Sequence, residues 1–218
     1  MLNVRLRLSR GPTLAGTVVG MILAWGLVGS EPAASTRGAG GAPAVRNLSG
    51  RLLVAAPEMR DPRFVESVIY MVNHDAAGAM GLVVNRPIGA ISLAQLLERF
   101  GVVPEGIQGS ILAHWGGPVE TGKGYVLHTP DYSTEGTIIV KGKAALTGSR
   151  KVLEAIVSGS GPRRTLFAVG YAGWGPGQLE AELARGGWVT ASADESLLFD
   201  DDYATKWQRA IARRLLDL

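Results

Sequence analysis

Between Leu52 and Pro87 three short apolar runs, Leu52 to Ala56, Val68 to Val72 and Leu82 to Val84, are separated by polar, turn-prone hinges. Each run is rich in aliphatic or β-branched residues and bounded by Pro, Asp, Asn or Gly, which predicts three strands that open a sheet. The period then changes. Leu93, Leu96, Leu97 and Phe100 recur at helical spacing between a capping box at Ser92-Leu93-Ala94-Gln95 and Gly101, so an amphipathic helix is predicted with both ends marked. Ile111 to His114, Tyr125 to His128 and Thr137 to Val140 read as further strands, with Gly116-Gly117-Pro118 as a turn. A second helix starts at Ser149, puts Val152, Leu153, Ile156 and Val157 on one face and stops at Gly159. Residues 165–171 are apolar enough for a central strand, followed by a glycine loop, a short helix and a return to strand at Trp188. From Tyr203, a last helix carries Tyr203, Trp207, Ala210, Ile211 and Leu215 on one stripe, with Lys206, Arg209 and Arg213 placed elsewhere around it. This irregular interleaving predicts an α+β (mixed α/β) single domain, and no repeat points to a solenoid or propeller.

The N-terminal stretch follows a different pattern. Residues 1–12 carry three arginines and residues 13–29 no charge, with small residues at once after, which predicts a signal peptide over 1–30. An uncleaved membrane anchor is the alternative, although the run is near the lower limit of a spanning helix. A misassigned start codon, with a cytoplasmic protein, is the other. Residues 31–46, rich in Ala, Gly and Pro, read as a flexible linker, and 47–218 as the folded domain. The formal charge of +3 belongs to the leader, because residues 31–218 hold 19 basic and 19 acidic residues. A neutral folded part without a helix-turn-helix argues against direct nucleic-acid binding, which draws most of its affinity from phosphate neutralisation. The chain has 0 Cys, which excludes disulfides, thiolate metal sites and a cysteine nucleophile.

Candidate chemistry is sparse. His74, His114 and His128 are the only imidazoles and form neither H-E-x-x-H nor H-x-H, so no metal site and no cofactor are expected. His74 lies where a strand runs into Asp75 and a glycine turn; His128 closes another strand, and whether the two meet is left open. Neither G-x-S-x-G nor S-x-x-K occurs, which removes the common serine-hydrolase templates. Glu58, Asp61, Glu66 and Asp75 offer carboxylate pairs of unknown separation. Asp61, before Pro62, suits an Asx turn that accepts backbone N–H groups. Gly170, Gly173, Gly175 and Gly177 join a strand to a helix N-terminus, where anions are attracted, but the spacing is not G-x-G-x-x-G and Trp174 and Pro176 crowd the approach. A turn with Trp174 as a buried anchor is the structural reading. Asp194, Glu195 and Asp200 to Asp202 lack an EF-hand spacing and read as a solvated capping segment ahead of the last helix.

The chain resembles the AlgH/YqgE family in three blocks: Pro57, Asp61-Pro62, Phe64, Ser67-Val68, His74, Gly78 to Gly81 and Asn85-Arg86-Pro87; then Gly116 to Val119 and Gly124 to His128; then Gly170 to Trp174, Gly177 to Glu180 and Trp188. The resemblance spans roughly residues 48–215 and implies a mixed sheet folded into a flattened pseudo-barrel with helices around it. It also implies a loose link to regulation, with no agreed reaction or ligand. No motif assembles nucleophile, base and oxyanion donors, so a non-catalytic binding or regulatory protein with a small-molecule or protein partner is the reading. The alternative is a hydrolase-type enzyme or a small-ligand or anion binder that uses an Asp61, His74 and Asn85 hinge or the Gly170 to Gly177 loop. The candidate ligand-binding residues are Asp61, His74, Asn85, Gly117, His128, Gly173, Trp174 and Gln178.

Overall fold

The computed structural model describes residues 47–99, 101–102 and 106–214. The leader, the linker, Phe100 and Leu215 lie outside the described residues. The opening strands are β1 (Arg51–Ala55), β2 (Val68–Asp75) and β3 (Gly78–Val83), followed by β4 (Pro87–Ser92) and α1 (Leu93–Arg99). Next come β5 (Ser110–Trp115), β6 (Val119–His128), β7 (Ile138–Val140), β8 (Ala144–Thr147) and α2 (Arg150–Ser158). The chain then runs through β9 (Thr165–Trp174), α3 (Gln178–Ala184), β10 (Trp188–Ser192), α4 (Glu195–Phe199) and α5 (Tyr203–Arg214). The strands order as β10-β1-β2-β3-β9-β6-β8-β7, with β5 joined parallel to β9 and β4 paired to β5. β7 comes back against β2, so the sheet curls into a half-barrel, the mixed α+β architecture expected.

Strands buried on both faces explain the unbroken apolar runs. In β1, Leu52 and Val54 enter an inner core while Leu53 and Ala55 enter an outer one; in β2, Val68, Tyr70 and Val72 divide from Ile69 and Met71 in the same way. Three coverings follow. α4 and α5 close the inner core through Leu197, Leu198 and Ala210, α3 covers the outer core through Leu179, and α1 with α2 covers a third through Leu96, Leu97, Val152 and Leu153. α2 has the ends expected, since Ser149 accepts a hydrogen bond from the Lys151 N–H and Gly159 stops it in the left-handed region at φ 74°.

One expectation is corrected here. Gly170 and Gly173 sit inside β9, and the turn begins only at Gly175. Gly116 and Gly117 cross β9 at Gly170, where a Cβ would lie 2.5 Å from the Gly117 carbonyl oxygen, and a Cβ on Gly117 would in turn lie 2.1 Å from the Tyr171 carbonyl carbon. Lys206, off the apolar stripe of α5, is also buried: its side chain is 0% exposed and its ammonium donates to the Leu198 and Asp200 carbonyls at 3.4 and 3.0 Å, so it terminates α4. The acidic run is accordingly engaged: Asp194 caps α4 through the Leu197 N–H, and Asp200 takes the fork of Arg209 at 2.7 and 3.0 Å. Among the described residues no helix is long and apolar enough to cross a membrane.

Candidate functional site

A recess of about 310 Å³ opens between the β1–β2 connection, the end of β9 and α3. Four of the candidate residues, Asp61, Gly173, Trp174 and Gln178, line it together with Phe64 and Trp188. β9 ends on Trp174 and β10 starts on Trp188, which stand edge to face with centroids 6.1 Å apart, and Phe64 meets Trp188 at 5.5 Å. Such pairs stabilise beyond their burial by roughly 0.5–1.5 kcal/mol.

Glu182 organises these walls. Its Oε2 accepts both indole N–H groups, from Trp174 at 2.9 Å and Trp188 at 2.8 Å, while Oε1 accepts the Gln178 amide at 2.9 Å. Gln178 in turn accepts the Gly175 N–H at 3.1 Å, which ties the turn after β9 to the helix face. Buried indole N–H groups need acceptors, and one carboxylate serves both. At the rim, the Arg63 guanidinium lies against Asp61 at 2.6 to 3.2 Å and holds that carboxyl below its ordinary range. Asp61 also accepts the Arg63 N–H, the Asx turn expected before Pro62. Arg185, exposed at the other rim, makes no ion pair among the described residues.

The other nominated side chains lie elsewhere. His74 is 2% exposed and fully engaged: Nδ1 accepts the Leu48 N–H at 3.1 Å, so the proton sits on Nε2 and is donated to Glu180 at 2.8 Å. The Glu180 carboxyl is held below its ordinary range by its own backbone N–H first and by His74 second. Asn85 bridges the Val68 N–H and the Glu66 carbonyl at 2.9 and 2.8 Å. Val68 and His74 are the two ends of β2, roughly 20 Å apart at about 3.3 Å per residue, so the hinge proposed from Asp61, His74 and Asn85 is not one site. His128 does not meet His74. It pairs with Thr165 at the start of β9, whereas the row of His74 reaches Trp174 at its end. Inside that barrel end, His128 donates to the Thr129 carbonyl and accepts from Thr147 at 2.8 and 2.9 Å, and burial pushes its pKa down. Gly117 serves the strand crossing.

Sequence reasoning missed Glu182, Arg63 and Arg185. Glu182 lies one helical turn from Gln178 and midway between two tryptophans, a signal that the i, i+4 spacing carried. No Ser or Thr hydroxyl lines the recess, and both oxygens of Glu182 are engaged, so it offers aromatic walls and charged rims more readily than a nucleophile. Among the described residues no group of three His, Cys, Asp or Glu side chains is placed to hold a metal ion.

Comparison with known proteins agrees with this architecture. The AlgH-like family model, DUF179, matches residues 52–218. A UPF0301 protein of Cereibacter sphaeroides is 49% identical over 163 residues, 74% of this chain and 88% of the relative. One of Bradyrhizobium diazoefficiens is 43% identical over 200 residues, 87% of this chain and 93% of the relative. Among solved structures, the AlgH protein from Pseudomonas aeruginosa, at 41% identity, superposes with a TM-score of 0.67 over 79% of this chain and 90% of its own. A Corynebacterium diphtheriae protein at 20% identity, TM-score 0.61, covering 76% of this chain and 86% of its own, shares the fold. With its sequence matched from the first strand onward and its curled sheet matched in a solved relative, the chain belongs to the AlgH-like, UPF0301 family.

Proposed function

We propose that this protein is a non-catalytic binding protein whose recognition site is the recess over Trp174, Trp188 and Glu182. One observation carries the reading: a single carboxylate holds both indoles and the Gln178 amide, which fixes the walls before any ligand arrives. Preorganised aromatic walls lower the ordering cost of binding. A volume of about 310 Å³ suits a small molecule or one large side chain of a partner protein, since ligand pockets span roughly 300–1,000 Å³. The apolar body of the ligand rests on Phe64, Trp174 and Trp188, and its polar end reaches the guanidinium rim of Arg63 and Arg185. Aromatic carboxylates are therefore the probes of choice. In a nitrogen–proton NMR titration, the indole N–H signals of Trp174 and Trp188 shift together, and Glu182→Ala abolishes the response. A panel that moves signals only at other positions refutes the site.

The basic and apolar halves of residues 1–30 support export or membrane attachment of this binding domain. A reporter active only outside the cytoplasm, fused to the leader, is expected to be active; a silent reporter with full-length protein in the cytoplasm ends that reading.

A further inference from the structure

The aromatic walls of the recess continue past its rim. Phe64, which lines it, meets Trp115 with ring centroids 5.8 Å apart, and the guanidinium of Arg86 lies over the Trp115 ring at 5.5 Å. With Trp188 at 5.5 Å on the other side of Phe64, these rings form a strip that runs out of the recess toward Arg86. Phe64, Trp115 and Arg86 are half-buried, so part of each meets solvent. Arg63, at 5.7 Å over Phe64, is taken by Asp61, whereas Arg86 forms no ion pair among the described residues and feels the charge of Glu66 without touching it. A guanidinium has five N–H donors, and the bond from Arg86 Nη2 to the Val65 carbonyl leaves most of that fork open.

The loop that carries Phe64 is fixed in advance. The Phe64 N–H donates to the Asp61 carbonyl at 2.8 Å and the Ser67 N–H to the Phe64 carbonyl at 3.0 Å. Between them Glu66 stands in the left-handed region at φ 55°, which residues other than glycine seldom adopt, and such outliers gather at binding sites. Two sequence neighbours clamp this strained turn from the side: the Asn85 amide donates to the Glu66 carbonyl at 2.8 Å, and Arg86 holds the Val65 carbonyl. The Trp115 N–H in turn donates to the Arg86 carbonyl at 2.8 Å, which keeps indole and guanidinium side by side.

We propose that the ligand of this site is an extended peptide segment of a partner protein, which places one large apolar or aromatic side chain in the recess and a carboxylate, about five residues along, on the guanidinium of Arg86. The proposal rests on the recess being the recognition site and adds the class of its ligand. Steps of 5.5, 5.8 and 5.5 Å leave Arg86 no more than about 17 Å from Trp188, a reach that about five residues of extended chain span at about 3.3 Å each. A molecule that fills only the recess, of about 310 Å³, leaves Trp115 and Arg86 unused. The planar fork of an arginine matches a carboxylate through two parallel hydrogen bonds, and stacking on the indole holds that fork in place.

The test titrates the full chain, and its Arg86→Gln variant, with capped peptides in which tryptophan and glutamate are separated by three glycines, in both orders, with the same peptides carrying glutamine for glutamate, and with capped tryptophan amide. In the parent all of these are expected to shift the indole N–H signals of Trp174 and Trp188. The glutamate peptide, in one of its orders, also shifts the Trp115 indole and binds about tenfold more tightly than its glutamine counterpart; in Arg86→Gln the two bind alike. The comparison of peptides on the parent decides even where the variant does not fold. A glutamate peptide no tighter than its glutamine counterpart in either order, or a preference that survives Arg86→Gln, overturns the proposal and leaves the recess as a small-molecule site. Trp174 and Trp188 signals that respond to no probe, aromatic carboxylates included, remove the recess itself and the peptide with it.

Discussion

Replacing His74 with alanine separates a fold element from a site. The imidazole is buried, and its two nitrogens join three parts of the chain: the Leu48 N–H ahead of β1, β2 itself and Glu180 on α3. His74→Ala leaves the Leu48 N–H without its acceptor, which costs about 1–3 kcal/mol for a buried donor, and deletes the hydrogen bond to a carboxylate, worth about 1 kcal/mol more in this half-exposed setting. The sum is about 3 kcal/mol. For a domain of this size each kcal/mol moves the thermal midpoint by roughly 2–4 °C, so the variant is expected to unfold roughly 6–12 °C earlier. Asn85→Ala, which frees the Val68 N–H and the Glu66 carbonyl, follows the same direction. Thermal unfolding followed by circular dichroism reads both against the parent. Residues kept for function often leave stability unchanged or improved when removed. Variants that unfold no earlier than the parent therefore refute the structural assignment and return His74 and Asn85 to the candidate site.

Acid sensitivity follows from two other histidines. Burial depresses His114 and His128 below their ordinary value of 6.5, so both are neutral in the fold and bind protons more readily once unfolded. Their contribution is intact above about pH 6.5 and is lost as pH falls through the folded values, which denaturant melts between about pH 7 and 5 will show as a declining midpoint. His114→Phe, at a ring whose Nε2 has no partner, is expected to flatten that decline. Glu182→Ala deprives two indole N–H groups of their acceptor and is expected to cost about 2–4 kcal/mol in chemical denaturation, with red-shifted tryptophan emission. Sequence-dependent DNA binding at physiological salt is not expected from residues 47–218, where acids slightly outnumber bases; a saturable, sequence-selective shift in a gel assay contradicts this.

Much of the sheet was legible because its strands are buried on both faces and so read as continuous apolar runs: Leu52 to Ala55, Val68 to Val72 and the first half of β9. β4 and β8 were not. Pro87 to Ser92 is mostly exposed and lacks alternation, and Ala144 to Thr147 is only four residues long and opens with two alanines, which have weak strand preference. Gly170 read as loop because its cause is a crossing by Gly116 and Gly117, which only tertiary structure supplies. The burial of Lys206 was not legible because the carbonyls that receive it belong to the end of α4, a helix that the acidic composition of its flanks concealed. For the recess, Trp174 and Gln178 were found through their motif, but Glu182 was not, since its partners arrive from β9, β10 and the first turn of α3.

The central claim, that the recess beside Glu182 is where this protein binds, is tested most directly by a crystal structure of the full chain purified from its native cells without added ligand. A co-purified molecule is expected to lie on Phe64, Trp174 and Trp188, with the Glu182 hydrogen bonds unbroken beneath it and its polar end at Arg63 or Arg185. A bound molecule found elsewhere on the protein, with only solvent in the recess, would contradict it.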